Sequence, residues 1–320
     1  MRVSSTLACM LAFSGFAPEA QALPRVTALA CFAGDAPPGL AQAWTFSSLL
    51  LPPAVLLVLY VLGVARLWRQ AGVGRGIGLW EVTAFLAGAM TFFLATVWPL
   101  DAFGAWSLAA HMGQHMLLLA VAPPLLLAGR PLAGIAHALP TAWSRRLHGW
   151  TAPLHRWLAA RLGLATMAHA GVMVLWHVPA AIAVALSDPL LHLAMHLAFV
   201  AAGLWFWIAV WQRIREPDTG VAAGLIALLT VTLVMGFTGA LLTFAPRILF
   251  PAYALRAPML GLDPLADQQL AGLLMWVPSC LPYLAGGLWL LLHGFERLRR
   301  QHGNARHGHA PAGPATGGTR

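Results

Sequence analysis

The chain has 320 residues, 59% apolar and only 9% charged, against roughly 25% charged in an average soluble domain. With a mean hydropathy of +0.74, it has too few charges to solvate its apolar surface. That excludes a soluble enzyme, an unstructured chain and a disulfide-stapled secreted domain, and indicates a membrane protein with several spans. The net charge of +9 comes from arginine alone, scattered between apolar runs. A nucleic-acid-binding protein would instead gather its basic residues on one polar face.

Residues 1–22 have the pattern of a signal peptide. Arg2 is followed by an apolar stretch over 3–16, which is short for a span, and Ala20-Gln21-Ala22 fits a small-x-small cleavage site. An uncleaved anchor is the other reading, and either one leaves residue 24 outside the cell. Residues 23–45 then form an external segment. Of the three cysteines, Cys9, Cys31 and Cys280, no two form a CxxC pair, so no thiolate metal site or redox motif is visible.

Seven apolar runs follow, near 46–65, 80–100, 106–129, 163–185, 190–211, 221–244 and 270–292. Each has about 20 residues, enough for a helix to cross ~30 Å of hydrocarbon. The alternation of a membrane barrel is absent, so only helices satisfy the backbone there. The expected fold class is all-α: a bundle of seven transmembrane helices over 46–295. With the first span running inward, the inner segments hold 15 arginines and the outer ones only Arg25, Arg247 and Arg256. The positive-inside rule therefore puts the mature N-terminus outside and the C-terminus in the cytoplasm. The inner connection 130–162 mixes Arg, His and Trp with apolar residues and is expected to form amphipathic segments on the membrane surface. Pro123 and Pro124, and Pro278 and Pro282, should kink the third and seventh spans. The Gly/Ala/Pro/His-rich tail, 296–320, is expected to be unstructured.

The histidines carry the chemistry. His111 and His115 are four apart on one face of the third span, with Gln114 beside them. His192 and His196 share a face of the fifth, with Met195. The fourth span runs the other way and brings His177 to the same depth, in the outer half of the bilayer. His169 lies ~12 Å deeper on that helix and on another face. Ionisable groups inside a membrane face the bundle interior and mark function. Imidazole with thioether suits copper, and Met112, Met116 and Met195 adjoin the histidines; imidazole alone also suits zinc or haem iron. The competing reading is a purely structural hydrogen-bond network. Asp267 opens the seventh span, with Gln268, Met275 and Trp276 following. It is either the N-cap of its own helix or a partner that orients an imidazole.

The segments HMGQHMLLLAVAPPLLLAGRP (111–131), WHVP (176–179), FWIAVW (206–211), LLTFAPRILFPAYA (241–254) and DQQLAGLLMWVP (267–278) resemble, in order, motifs of the multi-span CtaG family of cytochrome c oxidase assembly factors. This is the seven-span type, not the single-span copper chaperone. The resemblance implies a factor of the bacterial plasma membrane with no catalytic turnover. It would assist copper delivery to a haem–copper oxidase, with oxidase subunits or another assembly factor as partners. It points to His111, His115, His177, His192, His196, Asp267, Gln268, Met275 and Trp276. Ser279-Cys280 departs from the small residues expected at that place. The rival readings are a haem-binding membrane cytochrome, which would spread axial histidines across both leaflets, and a copper transporter, which would continue its polar path to the inner face.

Overall fold

A computed structural model describes residues 36–47, 50–215 and 220–307. The expected signal peptide lies outside the described residues, as does the tail beyond 307. Among the described residues the regular structure is entirely helical. Six helical stretches are long and apolar enough to cross a bilayer: Leu51–Ala71, Leu79–Gly104, Leu108–Ala128, Pro189–Arg213, Gly220–Thr243 and Pro264–Arg297. Counting one pair of helices bent by 83° makes seven.

The helices are α1 (Leu51–Ala71), α2 (Leu79–Thr96), α3 (Leu100–Gly104), α4 (Leu108–Met116), α5 (Ala122–Ala128), α6 (Pro131–Ala138) and α7 (Thr141–Ala160). Then come α8 (Leu162–Trp176), α9 (Pro179–Ser187), α10 (Pro189–Arg215), α11 (Gly220–Thr243), α12 (Pro251–Ala254), α13 (Pro264–Trp276) and α14 (Leu281–His307). Helices α7 and α8 are the bent pair. The fourth span, expected as one run over 163–185, is broken into α8 and α9. The cause is Pro179, which cannot donate to the helix ladder and holds Val178 extended, at φ −72° and ψ 126°. The 15 residues of α8 rise only ~22 Å, so α9 is needed to complete a crossing. The helix α14 runs on to His307, past position 296, where the sequence had placed the start of an unstructured tail. An exposed ion pair in the helical i,i+4 register, Arg300 Nε to Glu296 Oε1 at 2.9 Å, accompanies the extension.

The third span is interrupted differently. Between α4 and α5 the turns over Leu117–Val121 widen to a π-helix. Pro123 and Pro124 follow at once. Neither can donate to a carbonyl one turn back, so the backbone widens there instead of breaking. Helix α10 closes on this place: a Cβ on Gly203 would come 2.6 Å from the Leu119 carbonyl oxygen and 2.6 Å from Pro123 Cγ. Only glycine allows that approach. Helices α11 and α13 meet in the same way, where a Cβ on Gly239 would lie 2.7 Å from the Gly272 oxygen.

The surface is apolar, and the core, itself mainly apolar, encloses a set of buried polar side chains. Leu56, Leu62, Leu229, Leu233 and Phe237 are exposed, while Asp101, His111, Gln114, His115 and Asp267 are buried. This inversion suits a lipid solvent. The two ends of the bundle are also distinct. One end gathers the segment 36–47, where Thr45 N donates to Val97 O at 2.9 Å, together with α3, the α9–α10 join and α12. The other gathers Arg130, whose Nη1 donates to Gly76 O at 3.0 Å, and Arg213, whose Nη2 donates to Ala159 O at 2.8 Å.

Candidate metal centre

The site begins with the start of α4. Ser107 stands extended at its N-cap, and its Oγ accepts from Ala110 N at 3.1 Å. The carboxylate of Asp267, on α13, completes the cap. It accepts from Ser107 Oγ at 2.6 Å, from Leu108 N at 2.6 Å and from Ala109 N at 3.4 Å. Asp267 is therefore a cap, but of a different helix from its own, and its carboxylate is engaged by the start of α4. Its own helix is capped by Asp263, whose Oδ1 accepts from Ala266 N at 2.8 Å. The Asp263-Pro264 pair starts α13 a turn earlier than the sequence reading placed it.

One turn into α4 stands His111, and a turn further His115. Helix α10 starts on Asp188, which accepts from Leu190 N at 2.8 Å, and carries His192 and His196. His177 sits at the C-cap of α8, where that helix breaks. All five are buried. Ring nitrogens of His111, His115 and His196 all lie within 4.8 Å of one another. His115 is the hub, with ring centroids at 4.3 Å from His111, 5.6 Å from His196 and 5.8 Å from His177. His192 lies 4.5 Å from His196 and 5.3 Å from His111. The structure thus brings three of the predicted ligands together and sets His177 and His192 beside them.

The donors are oriented for a ligand. His111 Nδ1 lies 3.1 Å from Gly104 O and 2.6 Å from the Tyr253 hydroxyl, which itself donates to Gly104 O at 2.9 Å. His177 Nδ1 meets Met173 O. A ring whose Nδ1–H donates to a carbonyl keeps its Nε2 lone pair free for coordination. Nε2 of His111, His177, His192 and His196, and both nitrogens of His115, are buried without a hydrogen-bond partner. Buried polar atoms are nearly always paired, so a cluster of unpaired imidazole nitrogens fits a cation. A bound ion would hold its nitrogens ~2.0–2.1 Å away, and so ~3.4 Å from one another. Closing from 4.8 Å needs only small side-chain rotations.

The other predicted residues fall in varied places. Met112, Met195 and Met275 are fully buried in the main apolar core. Gln114 Nε2 donates to Ala95 O at 2.8 Å and to Asp101 Oδ1 at 2.9 Å. Gln268 ties down the loop between α11 and α12, accepting from Leu249 N at 2.6 Å and donating to Arg247 O at 3.1 Å. Trp276 is 41% exposed and packs edge-on against Phe244 at 6.1 Å. It lies on the α11 seam. His169 stands apart, with Nε2 2.8 Å from Tyr283 Oη, as its depth and face implied. Cys280 Sγ donates to Val277 O at 2.9 Å. Sequence reasoning missed Ser107, Asp101, Tyr253 and Arg256, whose Nη1 donates to Ala105 O at 3.1 Å. A serine before an apolar run is an N-cap signal and could have revealed the first. The others gain their roles only through tertiary contacts.

Fold and site together define a polytopic helical membrane protein with a buried histidine cluster toward one end of its bundle. A family model, cytochrome c oxidase caa3 assembly factor (Caa3_CtaG), matches residues 58–297. The chain belongs to that family. No curated protein and no solved structure matches the chain.

Proposed function

We propose that this assembly factor carries copper to a haem–copper cytochrome c oxidase, holding it at the His111–His115–His196 cluster with His177 and His192 alongside. Here copper is cargo, and the protein performs no turnover. The observation that carries the reading is the set of unpaired, buried imidazole nitrogens converging from three helices. The arginine asymmetry supports a plasma-membrane protein with the cluster toward the outer face. Oxidase subunits, or another factor acting on them, are the expected recipients. The haem alternative is disfavoured by imidazoles packed 4.3 to 6.4 Å ring to ring, which leave no slot for a porphyrin.

The test is oxidase activity per molecule of assembly factor in the membrane, for His115→Ala and His196→Ala. Each removes a coordinating nitrogen, so the loss should exceed the ~10–100-fold typical of groups that only support a ligand. In a purely structural network each change would cost about 0.6–2 kcal/mol of stability. Protein level and activity would then fall together. A wild-type ratio in both variants overturns the copper reading.

A further inference from the structure

Helix α7 takes no part in the histidine cluster and carries a pattern of its own. It makes an angle of 83° with α8, so where α8 crosses the bilayer α7 runs along it. Its C-terminal end is fixed to α10. Trp205 Nε1 donates to Leu158 O at 3.1 Å, Arg213 Nη2 donates to Ala159 O at 2.8 Å, and Trp157 stacks on Trp205 at 5.5 Å. Trp143, Trp150 and Trp157 recur at every seventh residue and so form one stripe along the helix. With Leu154 they are from 44% to 71% exposed. Arg145 and Arg156 stand ~130° round the helix from that stripe. Arg146 and Arg161 reach back over it, to 5.4 Å from the Trp143 ring and 4.3 Å from the Trp157 ring. Tryptophan on one flank and arginine on the next is the pattern of a helix lying in the membrane interface.

The charge on this surface has one sign. The sequence has no Asp or Glu between Asp101 and Asp188. Among the described residues no carboxylate pairs with Arg145, Arg146, Arg156 or Arg161. Where α7 meets the end of α10, His155, Arg156, Ala159, Ala160 and Gln212 line a hollow of about 130 Å³. That is room for a phosphate group and too little for a larger organic ligand. We infer that α7 is a binding surface for anionic phospholipid, with one headgroup phosphate seated in this hollow. The tryptophan stripe holds the helix at headgroup depth, and the arginine flank supplies the charge. A headgroup of net negative charge complements a wholly basic surface, whereas a zwitterionic one brings its own cation against the same arginines. The positive-inside rule places this end of the bundle in the cytoplasm, where the leaflet surface is negative and basic pockets between spans take acidic headgroups. None of this depends on the copper reading.

The experiment presents the full chain, purified in mild detergent, with equal amounts of phosphatidylglycerol and phosphatidylcholine bearing the same acyl chains. Native mass spectrometry then counts the lipid of each kind retained. An arginine near an anionic surface contributes about fivefold in binding, so the unaltered chain should prefer phosphatidylglycerol by at least ~10-fold. Replacing Arg145, Arg146 and Arg156 together by glutamine should abolish most of that preference. Replacing Arg66, Arg69 and Arg75 by glutamine removes the same charge from exposed positions on and just after α1, and should leave the preference in place. The comparison between lipids is made on the unaltered chain, so it stands even where a triple variant fails to insert. No preference in the unaltered chain overturns the proposal, as does a preference that survives the α7 variant or is lost equally in both variants. Displacement of phosphatidylglycerol by inorganic phosphate would make the hollow a site for a free anion, and overturns the lipid assignment too.

Discussion

Replacing Asp267 by alanine tests whether one helix sets the geometry of another. In the structure this carboxylate, 4% exposed, takes two short hydrogen bonds at 2.6 Å and one at 3.4 Å from the first turn of α4. A hydrogen bond to a charged group contributes about 1.5–3 kcal/mol, and an orphaned buried donor costs a similar amount. Counting the two short bonds alone, and allowing Ser107 to find another partner, the loss is about 3–4 kcal/mol. That exceeds the ~1 kcal/mol of an ordinary N-cap, because the donors cannot turn to water. Asp267→Asn keeps one acceptor oxygen for Leu108 N and can donate to Ser107 Oγ, so its cost should be nearer 1 kcal/mol. Unfolding in mixed micelles, followed by tryptophan fluorescence, measures both. Metal retention should fall in Asp267→Ala, since His111 lies one turn from the loosened end. If the two variants are equally stable, within about 0.5 kcal/mol, the cross-helix cap is not what holds α4 in place.

Tyr253→Phe should keep the fold and lower metal affinity by ~10-fold, because the hydroxyl that meets His111 Nδ1 and Gly104 O is lost; chelator competition reads this, and unchanged affinity refutes it. Gly239→Leu should destabilise the bundle by more than the ~1–3 kcal/mol of ordinary overpacking, since its Cβ would lie 2.7 Å from the Gly272 oxygen. A thermal melt matching wild type would contradict that. A phosphatase fused after residue 300 should be inactive outside the cell, as the arginine bias requires; an active fusion reverses the topology.

The spans were legible because each is a long apolar run with one solution in lipid. The histidine pairs were legible for a related reason: four-residue spacing fixes a helix face whatever packs against it. Depth then placed His177 with them, although it was read as mid-span when it stands at a break. Pro179 carried that information and was passed over inside a run otherwise fit for a helix. Asp267 was misassigned because its role depends on where α13 begins. Asp263-Pro264 opens the helix earlier, which leaves the Asp267 carboxylate free to reach sideways to α4. Tyr253 and Arg256 were not legible at all. They come from the connection between α11 and α13, whose course over Gly104 and Ala105 no local pattern dictates.

The π-turn at Leu117–Val121 has a consequence for how this helix could change by insertion or deletion. A π-turn is an α-helix carrying one surplus residue. Deleting any single residue there would let the backbone return to regular winding at little local cost. A deletion in the regular part of α4 would rotate the half that bears His111 and His115 by ~100° relative to the rest of the span. At the π-turn the surplus residue is absorbed locally, so its loss leaves His111 and His115 facing His196 and Pro123 seated on Gly203. The span can thus change length at this one place and keep the phase between a half that packs and a half that binds.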